Sequence, residues 1–256
     1  MKKINKKPNL FDEKSILEKF HVDTKIEKFD KKELNPNKIP LTWKKVHFKT
    51  YPRFKKIDLD IDSVNLDLPF LKVLLKRKSQ RNFKSVELDS EEIGNLLYYS
   101  AGIIPNNKQI DEATRFYPSA GARYPLEVYL LSNKIKGFQK GIYHYNVKNN
   151  VLEFMWRENR FPKLFFEITD WDWSEKASAL IAISSVFRRT QIKYGDRSYR
   201  HVLIESGHLA QNIYLVSTAL GLKCCSIGGF VDDKINKLLD FDDEQEIVTY
   251  LIAIGK

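Results

Sequence analysis

The sequence predicts an α+β domain with a mostly antiparallel central sheet flanked by helices. Strand-like and helix-like segments alternate irregularly along the 256 residues, without the regular repeat that a parallel sheet needs. A Lys148-Asn149-Asn150 turn joins two apolar runs, Ile142–Tyr145 and Val151–Trp156, as a hairpin. The composition, 43% hydrophobic and 12% aromatic, is enough to bury a substantial core.

Residues 1–66 read as an extended N-terminal arm and residues 67–256 as the domain proper. The arm carries a short amphipathic helix at Glu13–Phe20. Pro36, Pro40 and Pro52, set among lysines, then interrupt regular structure. Pro69 suits the first turn of a helix through Phe70, Leu71, Val73, Leu74 and Leu75, which ends at Arg77-Lys78-Ser79-Gln80-Arg81. Asp89 or Ser90 caps the next helix, Glu91 and Glu92 suit its first turn, and Gly102 ends it. A polar loop covers 103–117. The turn-rich Arg115–Pro125 then feeds a strand at Leu126–Ser132. After the hairpin come a helix at Pro162–Ile168 and a buried strand at Ala177–Val186. A long helix follows at Ser198–Leu220, with Leu203, Gly207, Ala210, Ile213, Tyr214, Ser217 and Leu220 expected inward. A strand at Leu222–Ile227, a helix at Asp233–Leu239 capped by Asp232, and a strand at Glu246–Ile254 complete the chain.

The net charge of +10 raises nucleic-acid binding. The cations are spread along the chain with acidic neighbours, however, so they read as solvated charge. The apolar runs at Ala179–Val186 and Ile247–Ile254 are too short to span a bilayer. MKKINKKPNL is basic but has no apolar stretch behind it, unlike a secretory signal. The expectation is a cytoplasmic protein that binds neither nucleic acid nor membrane. Cys224 and Cys225, adjacent in a strand, point to opposite faces and read as buried thiols.

Several chemistries lack their motifs. The chain has no Gly-x-Gly-x-x-Gly, no phosphate loop, no Cys-x-x-Cys and no Gly-x-Ser-x-Gly. Glu205-x-x-His208, with His201, echoes a diiron ligand pair but has no second copy, so it reads as a hydrogen-bonded helix face and no metal is expected. Three segments remain. Arg77, Lys78, Ser79 and Arg81 could clamp a phosphate with charge-assisted hydrogen bonds. Pro118-Ser119-Ala120-Gly121-Ala122 is small enough for backbone to approach a flat ring. Ser226-Ile227-Gly228-Gly229-Phe230 offers unobstructed amides. Each alone also fits a plain helix end, a tight connection or a strand end.

Together these segments resemble the nitroreductase superfamily of FMN enzymes, and most nearly its azoline dehydrogenase (SagB-like, thiazole/oxazole-forming) branch. The matching pieces are FHVDTK (20–25), RKSQRNF (77–83), LDSEEIGNLLYYSAG (88–102), RFYPSAGARYPLEVYLL (115–131), GIYHYN (141–146), KYGDRSYRHVLIESGHLAQNIYLVSTALGL (193–222), SIGGF (226–230) and AIG (253–255). The resemblance implies an FMN-binding fold and a homodimer whose long helix lies at the interface. It implies that Arg77, Lys78, Ser79 and Arg81 hold the phosphate and ribityl chain. Pro118, Ser119 and Gly121, from the other subunit, would line the ring, and Ile227, Gly228 and Gly229 would approach its reactive edge. It further implies that Lys193 and Tyr194 serve as base or relay while a hydride passes to the flavin, converting azolines to azoles in a ribosomally made peptide. A lysine base needs desolvation or cationic neighbours, and Arg188, Arg189 and Arg197 lie close in sequence. The implied partners are a cyclodehydratase complex and a precursor peptide. The open alternatives are an NAD(P)H-dependent nitro- or quinone reductase, an FMN oxidase of a carrier-bound or small-molecule intermediate, and a flavin-free basic binding module. The chain departs from the family at Ala122, where many members carry Asn. It also ends without their distal basic residue, leaving Lys256, Arg188, Arg189 or Arg197 to complete the phosphate site.

Overall fold

The strands are β1 (Lys55–Asp58), β2 (Leu126–Ser132), β3 (Gly141–Asn146), β4 (Val151–Arg157), β5 (Ala179–Val186), β6 (Lys223–Ile227) and β7 (Glu246–Gly255). They form one sheet in the order β1-β4-β3-β2-β5-β7-β6, and every neighbouring pair is antiparallel. This computed structural model describes residues 16–26, 40, 45–59, 61, 68–105, 110–242 and 245–256. β2 and most of β5 are buried on both faces, which explains their unbroken apolar runs. Cys224 and Cys225 are free thiols in separate cores on opposite faces of the sheet.

The helices are α1 (Ile16–Asp23), α2 (Phe70–Lys76), α3 (Ser90–Ala101), α4 (Lys163–Thr169), α5 (Arg188–Tyr194), α6 (Ser198–Ala219) and α7 (Asp232–Leu238). One face of the sheet is covered by α3 and α6, through Leu96, Leu97, Leu209 and Ile213 against Leu130, Ile181 and Ile252. The other face is covered by α4 and α7, through Phe165, Ile168 and Ile235 against Leu131, Leu180 and Leu251. Burial of a leucine-sized side chain contributes about 1.5–3 kcal/mol, so these two layers supply most of the driving force. The result is the α+β sandwich of helices and antiparallel sheet that the sequence predicts.

Asp89 is the N-cap of α3, and its amide donates to Glu92 Oε2 at 2.9 Å, forming a capping box. Asp232 lies in the first turn of α7, whose N-cap is Val231, rather than capping it. The predicted loop 103–117 is only partly a surface loop, because Arg115 and Tyr117 are buried. The long helix buries Ala210, Ile213, Tyr214 and Ser217 as predicted and departs from the expected face in its N-terminal half. Val202, Glu205, Ser206 and Leu209 face inward, whereas Leu203 is 44% exposed and Gly207 lies outside. The helix carries apolar residues on two sides, and periodicity alone does not say which side meets the sheet. Much of the predicted arm, including the start of the 13–20 helix and Pro36, lies outside the described residues. The described part of the arm holds α1, which docks on α6 where Arg200 donates to His21 O at 2.8 Å, and β1, which pairs with β4.

Candidate active site

Helix α6 is the spine of the site, and the predicted residues gather at two places along it. At its C-terminal half stands Tyr214. Its ring is buried in the core, and its hydroxyl reaches Ser79 Oγ at 2.8 Å and Ser226 Oγ at 3.1 Å. The Ser226 amide donates to the same hydroxyl at 2.8 Å, and Tyr250 Oη donates to Ser226 Oγ at 3.0 Å. The Arg77 guanidinium lies 5.4 Å from the centre of the Tyr214 ring. One phenol thus joins the Arg77–Arg81 segment to the β6 end carrying Ile227, Gly228 and Gly229.

The cationic segment leaves α2 as an irregular chain. It is tied along the sheet edge where Gln80 N–H donates to Cys224 O at 2.9 Å and Lys84 N–H to Lys256 O at 2.7 Å. Arg81 lies over Trp173, 5.9 Å from the ring centre. Among the described residues, Arg77, Lys78 and Arg81 form no ion pair with a carboxylate. Three cations and a serine with no competing anion are a donor set suited to a phosphate. A Cβ built on Gly228 would meet only Tyr250 at 3.8 Å, and one on Gly229 would meet nothing within 4 Å. The backbone there is open to a flat ring, so both features fit FMN. Of the four cations proposed to complete the phosphate site, three are engaged elsewhere. Lys256 pairs with Glu92 at 2.9 Å, Arg189 with Glu127 at 2.6 Å, and Arg197 donates to Thr24 O at 2.6 Å.

At the N-terminal half of α6 lies the second group. The turn after Pro118 places Gly121 at φ 60° and ψ 25°, and Ala122 and Tyr124 also have positive φ, 53° and 45°. Left-handed backbone costs a non-glycine residue about 1–2 kcal/mol, so surrounding bonds must hold it. Tyr124 N–H donates to Ser119 Oγ at 2.8 Å, and Ser119 Oγ donates to Glu205 Oε2 at 2.7 Å. Arg189 Nη1 donates to Tyr124 O at 3.1 Å, and Arg123 Nε donates to Arg189 O at 3.0 Å. An Asn at position 122 would tolerate this conformation better than Ala122 does.

Lys193 and Tyr194, on the last turn of α5, press against this turn. A Cβ on Gly121 would lie 2.5 Å from Tyr194 Oη and 2.7 Å from Lys193 Nζ, so a larger residue there would displace the tips of both side chains and strain a left-handed backbone. The Lys193 ammonium also lies 5.4 Å from the Tyr194 ring centre, and the His201 ring packs 4.8 Å from the other side chain of the pair, Tyr194. His208, by contrast, is exposed, and the His201, Glu205 and His208 side chains do not converge.

A buried ionic chain stands behind α5. Arg189 pairs with Glu127, which meets His144 Nε2 at 3.1 Å, and His144 Nδ1 meets Glu153 at 2.9 Å. Burial alone would raise the Glu127 carboxyl, but Arg189 and His144 hold it down at about 2. Burial would lower His144, and the hydrogen bonds to Glu127 and Glu153 instead raise it above the usual imidazole range. Burial pushes Glu205 up to about 7, against the opposing pull of Ser119, Arg115 and the Ala120 amide.

The structure thus links Ser79 to Ser226 through Tyr214, with Arg77 on the Tyr214 ring and Arg81 on Trp173, and brings Gly121 to Lys193 and Tyr194. It does not bring the two groups together within one chain. Glu205 and Tyr214 are nine residues apart, about 14 Å of helix. Sequence reasoning missed Tyr214 and Glu205 as site residues. Each had a signal, since a tyrosine and a carboxylate at core-facing positions of a helix must find polar partners.

The nitroreductase family pattern matches residues 74–256. MJ1384 of Methanocaldococcus jannaschii, named as a nitroreductase, is 31% identical over 197 residues, 77% of this chain and 93% of its own length. The microcin B17-processing protein McbC of Escherichia coli is 33% identical over 145 residues, 54% of this chain and 52% of McbC. A nitroreductase-named crystal structure from Anabaena variabilis superposes with a TM-score of 0.75 at 26% identity, covering 94% of this chain and 47% of that one. A chain of the E. coli microcin synthetase McbBCD complex with truncated pro-MccB17 bound has the same fold, with a TM-score of 0.61 at 24% identity, covering 94% of this chain and 91% of that one. The chain therefore spans nearly all of MJ1384 but only about half of McbC in sequence and of the Anabaena protein. With its antiparallel sheet, its cationic segment and its glycine turn in the family order, the chain belongs to the nitroreductase family, a family of FMN-dependent oxidoreductases.

Proposed function

We propose that this protein is an FMN-dependent dehydrogenase that oxidises azoline rings to azoles in a ribosomally made peptide. The observation that carries the reading is the packing of Lys193 Nζ and Tyr194 Oη against the Gly121 turn. Two proton-transferring groups meet there beside backbone small enough to receive a flat ring. Similarity to a protein named for microcin processing supports the peptide class.

Bound FMN supplies the hydride acceptor. Arg77, Lys78, Ser79 and Arg81 hold its phosphate and ribityl chain, and Ile227, Gly228 and Gly229 leave room at the ring edge. The azoline gives up a hydride and one carbon-bound proton. Lys193 as the neutral amine, or Tyr194 as phenolate or as relay to it, takes the proton, and the ring becomes aromatic. Dioxygen is the terminal electron acceptor. The site forms in a homodimer, where the cationic segment of one protomer meets the Gly121 turn and Lys193–Tyr194 of its partner. The exposed side chains of Phe70, Leu71 and Leu75 on α2, and of Leu203 and Ile204 on α6, supply apolar surface for that contact. A cyclodehydratase complex and its precursor peptide are the proposed partners, by analogy with the McbBCD assembly. Among the described residues no helix is long and apolar enough to cross a membrane, and we place the reaction in the cytoplasm.

The test is a pair of variants, Lys193→Ala and Tyr194→Phe, assayed on an azoline-bearing peptide. Loss of a positioned acid–base group costs roughly a hundredfold or more in rate, with FMN still bound. Full oxidation by both variants contradicts the assignment. Rapid flavin reduction by NAD(P)H in the wild type, without azoline oxidation, points instead to a nitro- or quinone reductase.

A further inference from the structure

Helix α6 buries a carboxylate that the reaction above does not use. Glu205 is 2% exposed and stands between Val202 and Leu209 on the core-facing side. Its Oε2 accepts the Ser119 hydroxyl at 2.7 Å, the Ala120 amide faces the carboxyl and favours its charge, and Oε1 has no hydrogen-bond partner. Ser119 Oγ in turn accepts the Tyr124 amide at 2.8 Å. The carboxylate therefore ties down the start of the turn directly and its end through one hydroxyl. Between those ends lie Gly121 and Ala122, both left-handed.

The charged and titratable groups around it are few. Arg115, from the segment before the turn, is buried. Its Nη1 donates to Tyr117 Oη at 2.9 Å and to Leu126 O at 3.1 Å, while Nε and Nη2 have no partner. Tyr117 is buried beside it, and its phenol is raised by desolvation, so it stays neutral. Glu127, from β2, acts on the same arginine. On α6 itself, His201 is half-buried against Tyr194, and His208 is exposed. Arg115 is thus the one nearby cation that acts on Glu205.

We propose that Glu205 is a positioning residue for the flavin site: through Ser119 and the Ala120 amide it holds the 118–124 turn in the conformation that seats Gly121 against Lys193 and Tyr194. The inference rests on the FMN reading above and deepens it. Burial places the carboxyl at about 7, so it changes protonation across the neutral range. The ionised form accepts the Ser119 hydroxyl more strongly than the neutral acid, attracts the Ala120 amide and faces the spare donors of Arg115. The turn is therefore held most tightly above neutrality. Stability runs the other way. The folded carboxyl is raised, so its contribution is present below the ordinary carboxylate range and is lost as pH rises through about 7.

The test is an FMN titration, followed by flavin fluorescence, on wild type, Glu205→Gln, Glu205→Ala and Ser119→Ala, from about pH 5.5 to about pH 8.5. The wild type binds FMN more tightly as pH rises through about 7. Glu205→Gln retains an acceptor for Ser119 but cannot ionise, so its affinity is flat across that range. Glu205→Ala and Ser119→Ala each weaken binding by about tenfold, and the double variant is little worse than either single one, since both remove one lock. If Glu205→Ala fails to fold, Ser119→Ala carries the same comparison. A Glu205→Gln protein with the wild-type pH dependence overturns the proposal, as does wild-type affinity in Ser119→Ala. A wild type that binds no FMN at any pH overturns the flavin reading itself.

Discussion

Tyr214 makes the residue-scale case most compactly. Its hydroxyl is shared by Ser79, Ser226 Oγ and the Ser226 amide, which belong to two otherwise separate segments of the phosphate half-site. Tyr214→Phe keeps the ring and its packing but takes the partner from Ser79 Oγ and the Ser226 amide, while Ser226 Oγ keeps its bond from Tyr250. An ordinary hydrogen bond contributes about 0.5–1.5 kcal/mol net. We expect FMN affinity to fall by roughly tenfold in the variant, with the melting temperature lowered by only a few degrees. An isothermal titration that finds unchanged affinity removes Tyr214 from the site. The same scale shows why this residue was illegible in the sequence. Helical periodicity predicts a buried face at 214, and it does. What a buried hydroxyl then bonds to depends on segments 135 positions upstream and 12 downstream, which no local pattern records. Gly121 was more legible, because a small-residue turn next to a proline already implies close approach.

At the scale of elements, α5 is the part on which the chemistry depends. Its last turn carries Lys193 and Tyr194, and its first turn is anchored by Arg189 to Glu127 at 2.6 Å, with side chains 10% and 2% exposed. Arg189→Met leaves a buried carboxylate without its cation, which costs roughly 3–5 kcal/mol. The pH dependence follows from the chain of charges. Glu127 is held at about 2, so its stabilisation is present above the ordinary carboxylate range and is lost as pH falls through about 2. His144 is raised, so its contribution is present below the ordinary imidazole range and is lost as pH rises past its folded value. Chemical denaturation of Arg189→Met should show the acid limb moved to higher pH. An unshifted limb means that α5 is anchored by something else. Element boundaries were largely readable, since capping residues and apolar runs place α3, α6, β2, β5 and β7 within a residue or three. β1 was not readable. Its sequence, KKID, is short, charged and at an edge, so sheet pairing rather than propensity makes it a strand. The inward face of α6 was read correctly at Ala210, Ile213, Tyr214 and Ser217 but not at Leu203 and Gly207, because this helix has a second apolar side and the sequence does not say which one meets the sheet.

For the whole molecule, the decisive point is that one chain carries two half-sites spaced along a single helix. The proposed phosphate half lies near Tyr214, and the proposed proton-transfer half near Glu205. In the proposed homodimer, a two-fold partner that reverses the direction of α6 sets one half against the other. The central claim, azoline oxidation at such a site, has one direct measurement. Purified protein loaded with FMN is mixed in air with an azoline-bearing peptide, and the product is weighed by mass spectrometry while the flavin absorbance is followed under exclusion of oxygen. The account predicts the loss of two hydrogens per oxidised ring in air, and bleaching of the flavin by the peptide alone when oxygen is absent. A peptide of unchanged mass, with a flavin that the azoline does not bleach but NAD(P)H does, would contradict it.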